Sequence, residues 1–177
     1  SRHRNGAVAL ANFARAAGLR AHEVCFGFAN DTQQELMLLY DPDVITARHD
    51  PVELGAPRFD GQLRIDLDVD ATEDVVVFSK PPLEMRLETP LGPMRMIGVH
   101  VKSKAPHGAR DADHAMKIAI ANRRKQLAQC IWLRRRIEAH LAEATPLIVL
   151  GDLNDGPGLD VYEELFGRSG VEIVMGW

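Results

Sequence analysis

Pro146–Gly158 reads PLIVLGDLNDGPG: an apolar strand, Leu147–Leu150, runs straight into Gly151, Asp152, Asn154, Asp155 and two further glycines. Four continuous apolar residues predict a strand covered on both sides. The polar run at its end admits two readings. Asn-Asp-Gly-Pro is a common way to end a strand and turn. Alternatively, a sheet is presenting oxygen ligands at its edge. Side chains alternate along an extended chain, so Asp152 and Asn154 point the same way if the strand continues through them. A carboxylate can hold Mg²⁺ or orient a water, and a carboxamide NH₂ can donate to a phosphoryl oxygen without adding negative charge. Asp155 reads as a turn-former.

Upstream, Asp113 to Glu143 predicts one long helix, with Met116, Ile120, Leu127, Ile131, Ile137 and Leu141 on its buried face. Arg123, Arg124, Lys125 and Arg134 to Arg136 read as its solvated side. Before it stands Gly98 to Lys104, GVHVKSK, where His100 interrupts an apolar alternation at a strand end. A histidine there can carry a proton or donate to phosphate; hydrogen bonding to a backbone carbonyl is the plainer alternative. Lys102 shares its side of the strand and Ser103 takes the other. Leu83, Met85, Leu87, Met94 and Met96 alternate with polar residues about a joint at Thr89 to Gly92, which predicts an antiparallel hairpin. Val75 to Phe78 reads as the start of the strongest strand signal.

The remainder is less patterned. Asn5 to Ala17 predicts a helix with Val8, Leu10, Ala11, Phe13, Ala14 and Ala17 on its buried stripe, stopped by Gly18. Glu35 to Tyr40 predicts a strand, Gln62 to Val69 an edge strand within loop, and Asp160 a cap for a helix over DVYEELF. EIVMGW at the end reads as a short apolar strand. Neither repeats nor linkers break the chain, which predicts a single domain over residues 1–177 mixing helices and sheets.

Composition narrows the function classes. With 21 basic and 25 acidic residues the formal charge is −4, which argues against indiscriminate nucleic-acid binding. The two cysteines, Cys25 and Cys130, are too few for a disulfide framework and are expected as buried or free thiols. No apolar run is long enough to span a bilayer.

The order F-S-K-P-P-L (78–83), G-V-H-V-K-S-K (98–104), a long helix, and P-L-I-V-L-G-D-L-N-D (146–155) resembles the endonuclease/exonuclease/phosphatase superfamily. That resemblance implies an α+β, four-layer α/β/β/α sandwich with the fold of pancreatic deoxyribonuclease. It implies hydrolysis of a phosphoester, assisted by Mg²⁺ or Mn²⁺, through in-line attack of an activated water. Matched by motif, Asp152 corresponds to the residue that orients or activates the water and ligates metal. Asn154 corresponds to the amide that binds the phosphoryl group, and His100 to the histidine that contacts phosphate or assists the leaving oxygen. Lys80 falls where the family often carries arginine, keeping the charge without the planar two-point grip. Lys102 and Ser103 rank behind these.

The family's metal-binding Asn and Glu motifs on its first strands, and its Ser-Asp-His near the end, do not occur in this sequence. The chain therefore reads as the middle of such a domain, truncated at both ends, and by itself weakly active or inactive. The expected partner is a phosphoester substrate, which includes nucleic acid, although aromatics at 6% supply no obvious stacking strip. A phosphomonoester or lipid-head-group phosphatase on the same fold, and a non-catalytic binding module, are the alternatives. Leu54 to Gly61 and Pro106 to Arg110 are the loops expected to shape substrate choice.

Overall fold

A computed structural model describes residues 2–32, 34–66, 72–156, 159, 164 and 167–177, with the side chains of 2–5 outside that description. The fold class is α+β. In chain order the elements are α1 (Arg2–Ala16), β1 (Glu23–Phe26), β2 (Met37–Tyr40), β3 (Thr46–His49), β4 (Leu63–Ile65) and β5 (Asp74–Val76). They continue with β6 (Leu83–Thr89), β7 (Gly92–His100), α2 (Ala112–Ala142), β8 (Leu147–Asp152) and α3 (Gly170–Met175).

The centre is a four-stranded sheet ordered β3-β6-β7-β8. The expected hairpin forms β6 and β7, antiparallel from Leu83↔Gly98 to Thr89↔Gly92. Its turn is closed by the Thr89 hydroxyl, which donates to the Gly92 carbonyl at 2.8 Å and accepts from the Leu91 N–H at 3.1 Å. Gly92 sits at φ +108°, a conformation that side chains disfavour. β8 then joins β7 in parallel, which requires the crossover that α2 supplies. That crossover pairs His100 with Asp152 in register.

Each face of the sheet has its own core. On one face Ile97 and Val99 of β7, with Val101 just beyond it, meet Ala128, Trp132, Leu133 and Ile137 of α2, and Leu147 and Val149 of β8 pack alongside. Trp132 lies 5.3 and 5.8 Å from the ring centres of Phe78 and Phe59, and its indole N–H donates to the Pro57 carbonyl at 2.8 Å. On the other face Leu83, Met85, Leu87 and Met96 pack against Cys25 of β1 and Leu36 and Leu38 at β2. β1 and β2 pair antiparallel, and α1 lies against both. Each fully buried side chain of this size contributes about 1.5–3 kcal/mol.

Several sequence expectations are corrected. α2 buries Ala119, Gln126, Leu127, Trp132, Leu133, Arg136, Ile137 and His140, while Met116 and Leu141 are exposed. Its 31 residues span about 46 Å against about 20 Å for the six of β8, and Gln126 already reaches the residues just past β8, so the first turns of α2 extend beyond the sheet. Arg123 and Arg136 are buried, so the arginine runs are not one solvated face. On α1, Val8 and Phe13 are exposed and Ala14 is buried, because a pair of four-residue strands covers only a narrow strip of helix. β8 is covered on one side only: it is an edge strand in the described sheet, and Ile148 and Leu150 are exposed. Val75 to Phe78 contributes only the short β5, which pairs with β4 rather than joining the central sheet.

EIVMGW is helical, not extended. Ser169 caps α3 with a full capping box, accepting from the Glu172 N–H while the Glu172 carboxylate accepts from the Ser169 N–H, and Gly176 ends the helix at φ +83°. β1 and β3 carried no signal strong enough to predict them. The helix expected over DVYEELF, Glu164 apart, and residues 67–69 of the expected edge strand lie outside the described residues.

Candidate functional site

The end of β8 is shaped by Gly151. Its φ is +135°, and a Cβ there would overlap the Val99 carbonyl oxygen, so only glycine lets β8 approach β7 at this point. The ladder persists one step further, with the Val101 N–H donating to the Asp152 carbonyl at 2.9 Å. The result sets His100 and Asp152 side by side, Nε2 to Oδ2 at 3.9 Å, with side chains 35% and 62% exposed. This is the C-terminal edge of two parallel strands, the place where open α/β sheets receive ligands.

The extended geometry stops at Asp152. Its Oδ1 accepts from the Asn154 N–H at 2.7 Å, an Asx turn, and Asn154 adopts φ +50°. Asp152 and Asn154 therefore do not continue one strand face, as alternation alone predicted. The Asn154 carboxamide turns back to donate to the Val101 carbonyl at 2.7 Å, leaving one of its two N–H groups for another acceptor. Both readings of the motif leave their mark: one Asp152 oxygen closes the turn, and the other faces His100.

Lys80 joins them from the chain preceding β6. Its Nζ lies 3.2 Å from His100 Nδ1 and 3.3 Å from Nε2. A position nearly equidistant from both nitrogens at that range is over the ring, since in the ring plane it would overlap Cε1. The ammonium thus covers one face of the imidazole, leaving both ring nitrogens able to bond in the plane. Lys80, His100, Lys102 and Ser103 line a cleft of about 170 Å³.

What holds these loops was not foreseen. α2 carries three amide side chains on its inner side, spaced to reach successive strand ends. Asn122 donates to the Ala105 carbonyl at 2.8 Å. Gln126, fully buried, donates to the Leu153 and Asn154 carbonyls, each at 2.9 Å. Gln129 accepts from the Lys102 N–H and donates to the Val77 carbonyl, both at 2.8 Å. The available signal was three amides at a spacing of four and three residues on a face otherwise read as apolar.

Asp155 is not a mere turn-former either. Its side chain is fully buried, pairs with Lys104 at 2.8 Å, and accepts from the Gly156 and Val171 N–H groups at 2.9 and 3.1 Å. Burial pushes its carboxyl up, but Lys104 and the two N–H groups outweigh that and hold it below the ordinary carboxylate range. Both cysteines are free, and burial pushes the Cys130 thiol up to about 12, so it stays neutral.

Comparison with protein-family models, curated proteins and solved structures found no match. The site is therefore read from its own chemistry. Among the described residues no group of three or more His, Cys, Asp or Glu side chains could hold a metal ion. Asp152, with one oxygen facing outward, is the described carboxylate at the site. One carboxylate fits Mg²⁺ or Mn²⁺ only where water and substrate phosphate oxygens complete the coordination, which is the usual habit of Mg²⁺.

Proposed function

We propose that this chain carries a phosphoester-hydrolysing site formed by Asp152, His100, Lys80 and Asn154. The observation that carries it is the parallel register of His100 and Asp152, with the Lys80 ammonium over the imidazole, at an open strand edge. Phosphoryl transfer to water needs a group to orient the water, a proton carrier for the leaving oxygen, and positive charge on the non-bridging oxygens. In this reading Asp152 Oδ2 serves the first, a His100 ring nitrogen the second, and Lys80 the third. The remaining Asn154 N–H adds a neutral donor. A divalent cation, held by Asp152 and the substrate, would supply further charge neutralisation.

The order α2, central sheet, β1–β2 pair, α1 supports reading the fold as a four-layer sandwich of the pancreatic-deoxyribonuclease kind. Among the described residues no helix is long and apolar enough to cross a membrane.

The test is hydrolysis of bis(p-nitrophenyl) phosphate with Mg²⁺, with Mn²⁺ and with chelator. The expected result is a slow turnover that needs the metal and drops about 100-fold or more in Asp152→Ala and in His100→Ala. No turnover, or turnover indifferent to Asp152, would overturn the reading. The binding-module alternative rests on a specific observation: the Asp152–Asn154 turn and the Asn154–Val101 bond are what a structural strand ending also requires.

A further inference from the structure

The cleft beside Asp152 has an unusual charge distribution. Exposed basic side chains such as Arg110, Lys117 and Arg135 need no partner, but several that are partly or fully buried meet acids: Arg95 with Asp50, Lys104 with Asp155, Arg134 with Glu138, Arg136 with Glu84. Acids outnumber bases by 25 to 21, so partners are plentiful. Lys80 and Lys102 are half-buried, line one cleft, and have no carboxylate within ion-pair distance among the described residues. Gathering two ammonium groups in a partly desolvated space is unfavourable unless an anion offsets it.

From this we infer that the cleft is a recognition site for a dianionic terminal phosphate, with Lys102 as its specificity-determining residue. The inference rests on the phosphoester reading and deepens it: the substrate carries a phosphomonoester end next to Asp152, rather than only internal diesters. Three structural features support it. No carboxylate lines the cleft, which favours an anion over a cation. Its walls carry neutral donors as well: the Ser103 hydroxyl accepts from the Ala105 N–H at 3.3 Å, so its proton is free to donate outward. The Lys102 backbone is anchored from behind by Gln129, which is 3% exposed, so the ammonium extends from a fixed base. A volume of about 170 Å³ with no Phe, Tyr or Trp in its lining suits a compact polar group better than a base or a sugar ring. A dianion with three outer oxygens also matches two ammoniums better than a diester with a single charge.

The experiment is calorimetric titration in chelator, so that binding is read without metal or turnover. Inorganic phosphate and p-nitrophenyl phosphate are compared with bis(p-nitrophenyl) phosphate, on wild type, Lys102→Met and Lys102→Arg. The expected result is monoester binding at least about tenfold tighter than diester binding. Lys102→Met should lose about tenfold, the worth of one charge-assisted hydrogen bond, and Lys102→Arg should keep most of it. Lys102→Met retains the aliphatic stem, and an unchanged melting temperature excludes misfolding. Equal affinity for monoester and diester, no binding, or binding indifferent to Lys102→Met would overturn the inference. A 5′-phosphorylated oligonucleotide against its unphosphorylated form separates the sources. A gain assigns polymer ends, and a gain confined to p-nitrophenyl phosphate assigns small phosphomonoesters; both uphold the dianion site. Phosphate discrimination without hydrolysis leaves the inference standing and sinks the hydrolase; hydrolysis without discrimination does the reverse.

Discussion

Two places in this molecule combine the same three chemistries. At the centre, Glu84 of β6 stands between Arg136 and His140 of α2; at the strand edge, Asp152 stands near His100 and Lys80. The carboxylate-to-imidazole distance is 3.9 Å in both. In the first cluster the His and Glu side chains are 3% and 2% exposed, and in the second the His and Asp are 35% and 62% exposed. Arg136 donates to Glu84 and to the carbonyls of Val52, Leu54, Ala56 and Pro57, so its guanidinium is saturated by the protein. Lys80 has only the histidine ring within hydrogen-bonding distance among the described residues. Residue type and spacing do not separate a structural triad from a candidate reactive one. Solvent access and the unfilled bonding capacity of the cation do, since Glu84 Oε2 and His140 Nδ1 are themselves unpaired in the buried cluster.

The contrast can be broken from either side. The largest effect is expected from Arg136→Met, which strands a buried Glu84: stability in urea should fall by about 3–5 kcal/mol. Adding Glu84→Leu should restore much of it, because the orphaned charge is then removed. Asp152→Ala should act oppositely, lowering metal-dependent hydrolysis about 100-fold while stability changes by about 1 kcal/mol, the worth of the bond to the Asn154 N–H. Equal losses in stability for these two variants would erase the distinction. Gln129→Leu sits between them. It leaves the Lys102 N–H and the Val77 carbonyl unpaired, at about 1–3 kcal/mol, and should loosen the cleft as it destabilises the fold.

A pH titration sharpens the same comparison. Asp155 is held below its ordinary value of 3.8 in the folded chain, so it favours folding above that value. The contribution is lost as pH falls through the depressed folded value. Asp155→Asn should therefore be less stable than wild type at neutral pH and converge with it in acid. A constant difference down to low pH would show that the Lys104–Asp155 pair does not carry the effect. The smallest change is expected for Leu150→Thr, on the open face of β8, at about 0.5 kcal/mol or less. A large loss there would mean that the face is covered.

Much of this was legible in the order of residues. The β6–β7 hairpin follows from alternation about a glycine turn, α2 from its length without a breaker, and the β8 ending from GDLND. Proximity of His100 and Asp152 was also foreseeable, since strand, long helix and strand return the chain to one edge. The capping box Ser169–Glu172 was readable too, but the strand reading of EIVMGW rests on its apolar look alone. Periodicity failed where an element outgrew its neighbour. Met116 lies on the turns of α2 that extend beyond the sheet, Leu141 is exposed where its neighbour His140 takes the inward position, and Arg136 is in the core because Glu84 and four carbonyls meet it there.

The sequence by itself determined what depends on neighbours along the chain: turns, caps, alternation, and the glycine turn at position 92. Only the tertiary structure decided which polar groups are filled. Asp155 is closed by Lys104 and two backbone N–H groups, while one oxygen of Asp152 is left facing His100, and both acids stand in one five-residue run. The physical reason is that hydrogen-bond saturation is set by what arrives from distant parts of the chain. Position along the chain carries no record of which carboxylate will meet a lysine and which will meet solvent.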